Sequence, residues 1–351
     1  MGRTVRTVRT AAMDRMGATV RTGSGELAPA PRADRWRNAL ILVVTRRCDL
    51  RCAYCPTAKD GEPDLSVGDA VAAMRLFVER YGGGDCKIFG GEPLLVPEVV
   101  RAVIEAAPPS VQVYLSTNGT HLDDAWLAFL HAHPRVTLTL SLDGEARDHD
   151  GLRRGGSSHA PVVAKLPELL KLPRFVVTQT IAPSTAVRAA SNFHYLRSLG
   201  IRRFNLLPGY YLPWRDEQLA ALEASFTEIG DSIERAWAAG ERVYLRNLFV
   251  RAPVAFYNTG FVVDSDRRIY ANNLILAGNL DHLRERATLG TLDAPPDAAA
   301  FAEAGQASTA FLAEELGEAI MVATARADAV LTRLCNRLYP AYFAHRARLS
   351  A

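Results

Sequence analysis

The run Ala39-Leu40-Ile41-Leu42-Val43-Val44-Thr45 is apolar without alternation. That pattern predicts a strand covered on both faces, as in a parallel sheet, rather than one half open to water. Behind Ser66, which has the character of a helix cap, apolar residues recur at helical spacing at Val67, Ala70, Val71, Met74, Phe77 and Val78, and Gly82-Gly83-Gly84 stops the run. A short strand follows over 86–89. The alternation continues with helices over 97–107, from Trp126 through Leu130, over 161–172 and over 186–199, and with strands over 111–116, 136–141, 175–181 and 201–208. Strand and helix taking turns predict parallel, right-handed units, hence an α/β barrel or a doubly wound sheet.

Beyond residue 212 the pattern changes. Residues 216–239 read as an amphipathic helix, 243–245, 260–264 and 267–270 as strand pieces with the last two in a hairpin, and 301–349 as mostly helical and packed over the barrel. Three parts are expected: an arm over 1–38, the α/β unit over 39–212 and an extension over 213–351.

Charge sharpens this division. The net charge of +3 is uneven, because residues 1–38 hold eight arginines against Asp14, Glu26 and Asp34, giving +5 there and −2 over the remainder. A basic arm can contact nucleic acid or an acidic peptide. Its Arg-Thr-Val repetition favours a flexible tail instead, and nucleic acid is not expected as a partner. No apolar run reaches membrane-spanning length and the amino terminus has no apolar signal core, so the expectation is a cytoplasmic protein with no membrane partner. Five cysteines, three of them clustered, suit a reducing compartment rather than a disulfide framework.

The clustered cysteines are Cys48, Cys52 and Cys55, spaced Cys-x3-Cys-x2-Cys directly after the first strand. Parallel α/β folds place their chemistry at this end of a strand. Three thiolates on a tight loop converge most easily on one soft metal centre. A structural zinc site needs a fourth protein ligand, and none follows at finger or ribbon spacing, since Cys86 and Cys335 stand alone. A cubane iron–sulfur cluster held by three thiolates leaves one iron open to a substrate or cosubstrate. A non-catalytic metal-binding protein is the alternative of another class, and a redox dithiol at Cys52 and Cys55 would sit at a helix start without a third partner. The second strand ends in Gly90-Gly91-Glu92-Pro93, where paired glycines let the backbone approach a ligand and a carboxylate favours a cation. Taken alone this is also a plain turn.

Together these residues resemble the radical S-adenosylmethionine (SAM) superfamily, whose signature is this cysteine spacing with an aromatic residue, here Tyr54, before the last cysteine, followed by a Gly-Gly-Glu motif. The stretch Ser141-Leu142-Asp143-Gly144 leading to His149-Asp150-Gly151-Leu152-Arg153 is similar to one in its peptide-modifying branch, which contains anaerobic sulfatase maturases and maturases of ribosomal peptides. The resemblance implies a partial (β/α)6 TIM-type barrel, open on one side. It implies one [4Fe-4S] cluster on Cys48, Cys52 and Cys55, SAM bound at the free iron, and an external electron donor such as ferredoxin or flavodoxin. It further implies reductive cleavage of SAM to a 5′-deoxyadenosyl radical that abstracts hydrogen from the substrate. By the same resemblance, Tyr54, Gly90, Gly91, Glu92, Asn118, Ser141, Asp143, Arg153, Leu206 and Leu207 contact SAM. Ser141 and Asp143 would lie near its ribose or methionyl part, Arg153 would pair with its carboxylate, and the backbone at Leu206 and Leu207 would meet adenine. His149 reads as a loop histidine that orients its neighbours.

The hairpin over 260–270 resembles the opening of the auxiliary-cluster extension called SPASM or twitch, but Ala271-Asn272-Asn273 stands where a cysteine normally follows, so no auxiliary cluster is expected. The resemblance implies a peptide substrate, a ribosomal natural-product precursor. Against this, the 38 residues before the barrel are too few for a leader-binding winged-helix module. The alternative is a small molecule such as a sugar, nucleoside or amino-acid derivative, in an epimerase, dehydrogenase or mutase reaction. Cys335 and Cys86 are candidate hydrogen donors for an epimerisation, set against the plainer reading of buried inert thiols. Tyr210, Tyr211, Trp214, Arg246, Asn247, Tyr257 and Asn258 are candidate substrate contacts, set against structural roles.

Overall fold

The computed structural model describes residues 38–57, 59, 63–249 and 260–350. Residues 1–37 of the basic arm expected over 1–38, and the candidate contacts Tyr257 and Asn258, lie outside the described residues.

Every residue of β1 (Ala39–Thr45) is buried, as its unbroken apolar pattern predicts. A two-residue strand, β2 (Arg51–Cys52), lies in the cysteine loop. The Ser66 side chain accepts from the Asp69 amide to cap α1 (Val67–Tyr81), and Gly82 ends that helix at φ 71°, a left-handed conformation that suits glycine. Then come β3 (Gly84–Gly90), α2 (Pro97–Ala106), β4 (Val111–Thr117), α3 (Asp124–Ala132) and β5 (Thr137–Ser141). They lead to α4 (Ala146–Leu152) and the short β6 (Arg153–Arg154). The helix expected over 161–172 is instead two short ones, α5 (His159–Val163) and α6 (Leu166–Leu169). Pro167 explains the break, since it has no amide to continue a helical ladder. β7 (Phe175–Ile181), α7 (Ala189–Ser198) and β8 (Arg203–Pro208) complete six strand–helix units.

In the extension, α8 (Asp216–Ala238) precedes β9 (Tyr244–Leu245), the hairpin of β10 (Phe261–Val263) and β11 (Arg268–Tyr270), α9 (Arg284–Ala287), β12 (Gly290–Thr291), α10 (Ala298–Leu316) and α11 (Glu318–Ser350). α11 packs on α8 with ion pairs from Arg333 to Glu223 and from Arg337 to Glu234.

The main sheet runs β12-β11-β10-β1-β3-β4-β5-β7-β8-β9, and its six central strands are parallel. The extension adds to both edges of this sheet: β10 pairs with β1 in parallel, Leu40 opposite Phe261, and β9 pairs with β8. The order does not close on itself among the described residues. β3, β4 and β8 alternate buried with half-buried residues, because helices cover only their outer face. Leu40, Leu42 and Val44 join the main core, whereas Ile41 and Val43 pack against Val262, Tyr270 and Leu274 to Leu276 of the extension. The extension thus covers the second face of β1. No helix among the described residues is long and apolar enough to cross a membrane.

Candidate active site

The cysteine loop is tied down at three places. At its root, Gly91 and Glu92 donate their amides to the carbonyls of Thr45 and Arg47, each at 2.8 Å. The contact is so close that a β-carbon at Gly90 would stand 2.1 Å from the Thr45 oxygen, and one at Gly91 2.0 Å from the Arg47 oxygen. The two glycines are therefore required by backbone packing against the strand that carries the cysteines.

In the middle of the loop, Asp49 accepts from the Asn118 amide group at 2.8 Å and from the Thr120 hydroxyl at 2.6 Å. Burial works against ionisation of Asp49, but these bonds outweigh it and hold its pKa below the usual carboxylate value. Sequence reading passed over Asp49, which lies between the first two cysteines with no motif of its own.

At the far end, Cys52 stands opposite Arg153 in the β2–β6 ladder, and the Ala53 amide donates to the Leu152 carbonyl at 2.8 Å. Tyr54 donates its phenol to Asp143 at 2.8 Å, with the Arg153 guanidinium 5.5 Å from its ring centre. Burial, with the Asp143 charge next, pushes the Tyr54 pKa well up, so the phenol keeps its proton.

Asp143 and Arg153 form a buried pair with two parallel hydrogen bonds, Nε at 2.8 Å and Nη2 at 2.9 Å. Asp143 also accepts from the Thr180 amide at 3.0 Å. Its own amide donates to His149 Nδ1 at 3.2 Å, which leaves the proton of the neutral ring on Nε2, 2.9 Å from Ser158 Oγ. Burial and the Arg153 charge push the His149 pKa down to about 4. His149 is thus a neutral brace that sets the position of Asp143, the orienting role read from the sequence.

This geometry bears on two expected roles. Arg153 commits Nε and one N–H of Nη2 to Asp143, so a cofactor carboxylate would have to meet Nη1 and the second N–H of Nη2, on a residue that lines the cavity. Asp143 itself lies behind Arg153 with both oxygens occupied. Glu92 is likewise engaged: Oε1 accepts from Thr117 at 2.7 Å and Leu94 at 3.0 Å, and Oε2 from the Asn118 amide at 2.7 Å. Burial raises its pKa to about 7 against those bonds. Its task here is to join the ends of β3 and β4.

A cavity of about 420 Å³ opens at the carboxyl ends of the central strands. Cys48, Cys52, Cys55, Tyr54, Gly90, Gly91, Glu92, Asn118, Ser141, Arg153 and Leu207 all line it. Leu206 does not. Its side chain is fully buried in the outer core, and the Asn247 side chain occupies both its amide and its carbonyl at 2.8 and 2.9 Å. Neither Cys86, buried in the outer core with its thiol pushed up to about 12, nor Cys335 on α11 lines the cavity, so neither is placed to give a hydrogen atom there. Tyr210, Tyr211 and Arg246 line it, whereas Trp214 donates to the Gly209 carbonyl and is structural.

The sequence reading missed Lys59 and the inner wall of Ser116, Thr139, Thr178, Thr180 and Asn205. Hydroxyl residues at every second position of 137–141 and at 178 and 180 were the available signal.

A parallel α/β half-barrel with a three-thiol loop braced at its strand ends defines an enzyme class that does its chemistry with a thiolate-held centre. Residues 42–182 match the Radical SAM superfamily model. The GTP 3′,8-cyclase of Mycolicibacterium smegmatis is 32% identical over 38% of this chain and 35% of its own length. The chain spans about a third of the length of the curated relatives it matches first. The serine-type anaerobic sulfatase-maturating enzyme of Klebsiella aerogenes is 26% identical over 82% of the chain and 79% of its own length. The solved structure of native anSMEcpe with bound AdoMet and Cp18Cys peptide shares the fold, with a TM-score of 0.62 at 18% identity over 76% of this chain and 80% of that one.

The superfamily match implies a [4Fe-4S] cluster and SAM, and the three cysteines fit the cluster. The three thiols are free, half-buried and share one cavity. Among the described residues no three His, Cys, Asp or Glu side chains are grouped as ligands of a single ion, whereas a cubane spreads its thiolates over separate irons.

Proposed function

We propose that this chain cleaves SAM reductively at a [4Fe-4S] cluster on Cys48, Cys52 and Cys55, and abstracts hydrogen from a peptide. The observation that carries the reading is the convergence of the three thiols, Gly90 to Glu92, Ser141 and Arg153 on one cavity. When bound, the cluster supplies the electron and SAM the carbon radical. The chain's own part is to position and shield. Asp49, Tyr54 and the root glycines fix the loop, and the hydroxyl wall orients what enters. The peptide is supported by the sulfatase-maturating relative, which aligns over 82% of the chain, whereas the GTP cyclase match covers 38% of it. An external one-electron donor and a cytoplasmic setting belong to the same reading.

The test is anaerobic reconstitution with iron and sulfide, then assay for 5′-deoxyadenosine with a reductant. Wild-type protein should yield it, and a variant with all three cysteines changed to Ala should not. Cluster-loaded wild type that leaves SAM intact would refute the assignment. A peptide deuterated at the reacting carbon should pass deuterium into 5′-deoxyadenosine.

A further inference from the structure

The floor of the cavity carries two cations, Arg246 and Lys87, against one nearby carboxylate, Asp85. Arg246, just after β9, lines the cavity and reaches across the sheet to stack on Tyr114 of β4, its guanidinium carbon 4.5 Å from the ring centre. Among the described residues its guanidinium makes no hydrogen bond and no ion pair. Lys87, opposite Tyr114 on β3, is a second cation close by. Burial first, then Arg246, lowers its pKa, and Asp85 is the sole carboxylate opposing that shift. The wall beside this floor holds an unanswered donor: the Thr139 hydroxyl, on a residue 6% exposed, is buried at the cavity with no partner. Thr139 stands opposite Ser116, one inward step along β4 from Tyr114. A stacked guanidinium with free N–H groups, a neighbouring ammonium and an unused hydroxyl call for an oxyanion, since a half-buried guanidinium facing a cavity makes charge-assisted hydrogen bonds to an anionic ligand.

We propose that the substrate carries a carboxylate that enters the cavity and is received by Arg246, with the Thr139 hydroxyl as a further donor. This rests on the reading of the cavity as a substrate site. Tyr114 holds the guanidinium plane in place, and Lys87 adds charge from behind. In a peptide the carboxylate has two sources, an acidic side chain or the C-terminus.

Three probes separate these: N-acetylglutamate α-amide, N-acetylglutamine as free acid, and N-acetylglutamine amide, which has no charge. Saturation-transfer NMR on the full chain should show binding of at least one acid about tenfold or more tighter than the neutral amide, as charge-assisted hydrogen bonds warrant. The acid that binds names the source. The preference should vanish in Arg246→Gln and persist in Arg246→Lys. Equal binding of acids and amide, or an acid preference kept in Arg246→Gln, overturns the proposal. Should Arg246→Gln fail to fold, labelling of wild-type Arg246 by phenylglyoxal decides. Acid probes should slow it and the amide should not, and labelling that no probe slows overturns the proposal. None of this needs cluster or SAM, so protein that cleaves SAM yet ignores carboxylates defeats this inference alone.

Discussion

Tyr54 donates to Asp143 across 2.8 Å, joining two stretches of chain 89 residues apart. One carries the cysteines and the other the buried Asp143–Arg153 pair, so the phenol fixes the loop by a group that is itself held by Arg153, Thr180 and His149. Tyr54→Phe should lower stability by about 1 kcal/mol, because Asp143 keeps its other partners. Asp143→Asn should cost about 3–5 kcal/mol, because it leaves the Arg153 guanidinium buried without its counter-charge. Urea unfolding of the two variants checks the order.

The root of the loop tolerates no side chain. Gly91→Ala sets a β-carbon against the Arg46 and Arg47 carbonyls, which are backbone and cannot turn away. It should destabilise the protein by about 1–3 kcal/mol or more and reduce iron retained after reconstitution. Gly151→Ala, where a β-carbon meets nothing within 4 Å inside α4, should be neutral or stabilise by up to about 1 kcal/mol. Thermal unfolding and iron analysis of both make the comparison.

Arg46 and Asp264 tie the end of β1 to the hairpin of the extension. Both are almost wholly buried, and Arg284 joins Asp264 at 3.3 Å and Asp266 at 2.6 Å. Asp264→Asn should cost about 3–5 kcal/mol, since it removes the buried counter-charge that the Arg46 guanidinium meets with two hydrogen bonds. Replacing the pair together, as Arg46→Met with Asp264→Leu, should cost less than either change alone. A double-mutant cycle in denaturant measures the difference.

The pH dependence has a defined sign. His149 binds its proton only near pH 4 in the folded protein and near its usual 6.5 when unfolded, so the unfolded state takes up more protons between those values. Stability from this group is complete above pH 6.5 and is lost as pH falls toward 4. Glu92 acts oppositely: its pKa, raised to about 7, makes stability fall as pH rises from 4.5 through 7. In His149→Asn, which keeps an acceptor for the Asp143 amide, the difference from wild type should shrink as the pH is lowered through this window. Unfolding free energies at several pH values test it.

The strands and helices of the α/β unit were legible because their faces are either fully covered or regularly alternating, and that regularity is written in the hydrophobic pattern. β1, with every residue buried, is the clearest instance. The single helix expected over 161–172 failed because one proline outweighs a favourable apolar period. The hairpin of β10 and β11 was legible from local alternation, but its parallel pairing with β1 was not, since a partner more than 200 residues away leaves no local mark.

By itself the sequence determined which atoms are available: three thiols at one spacing, a glycine pair, and an Asp and Arg ten residues apart. Only the tertiary structure decided which of them face a ligand and which face each other. Gly91 meets the Arg47 backbone, Glu92 meets Thr117 and Asn118, and the Arg153 fork closes on Asp143, while Arg246 is left open at the cavity floor. The reason is physical. Residue type sets what a group can bond, but burial and distance set what it does bond, and both depend on chain segments that only folding brings together.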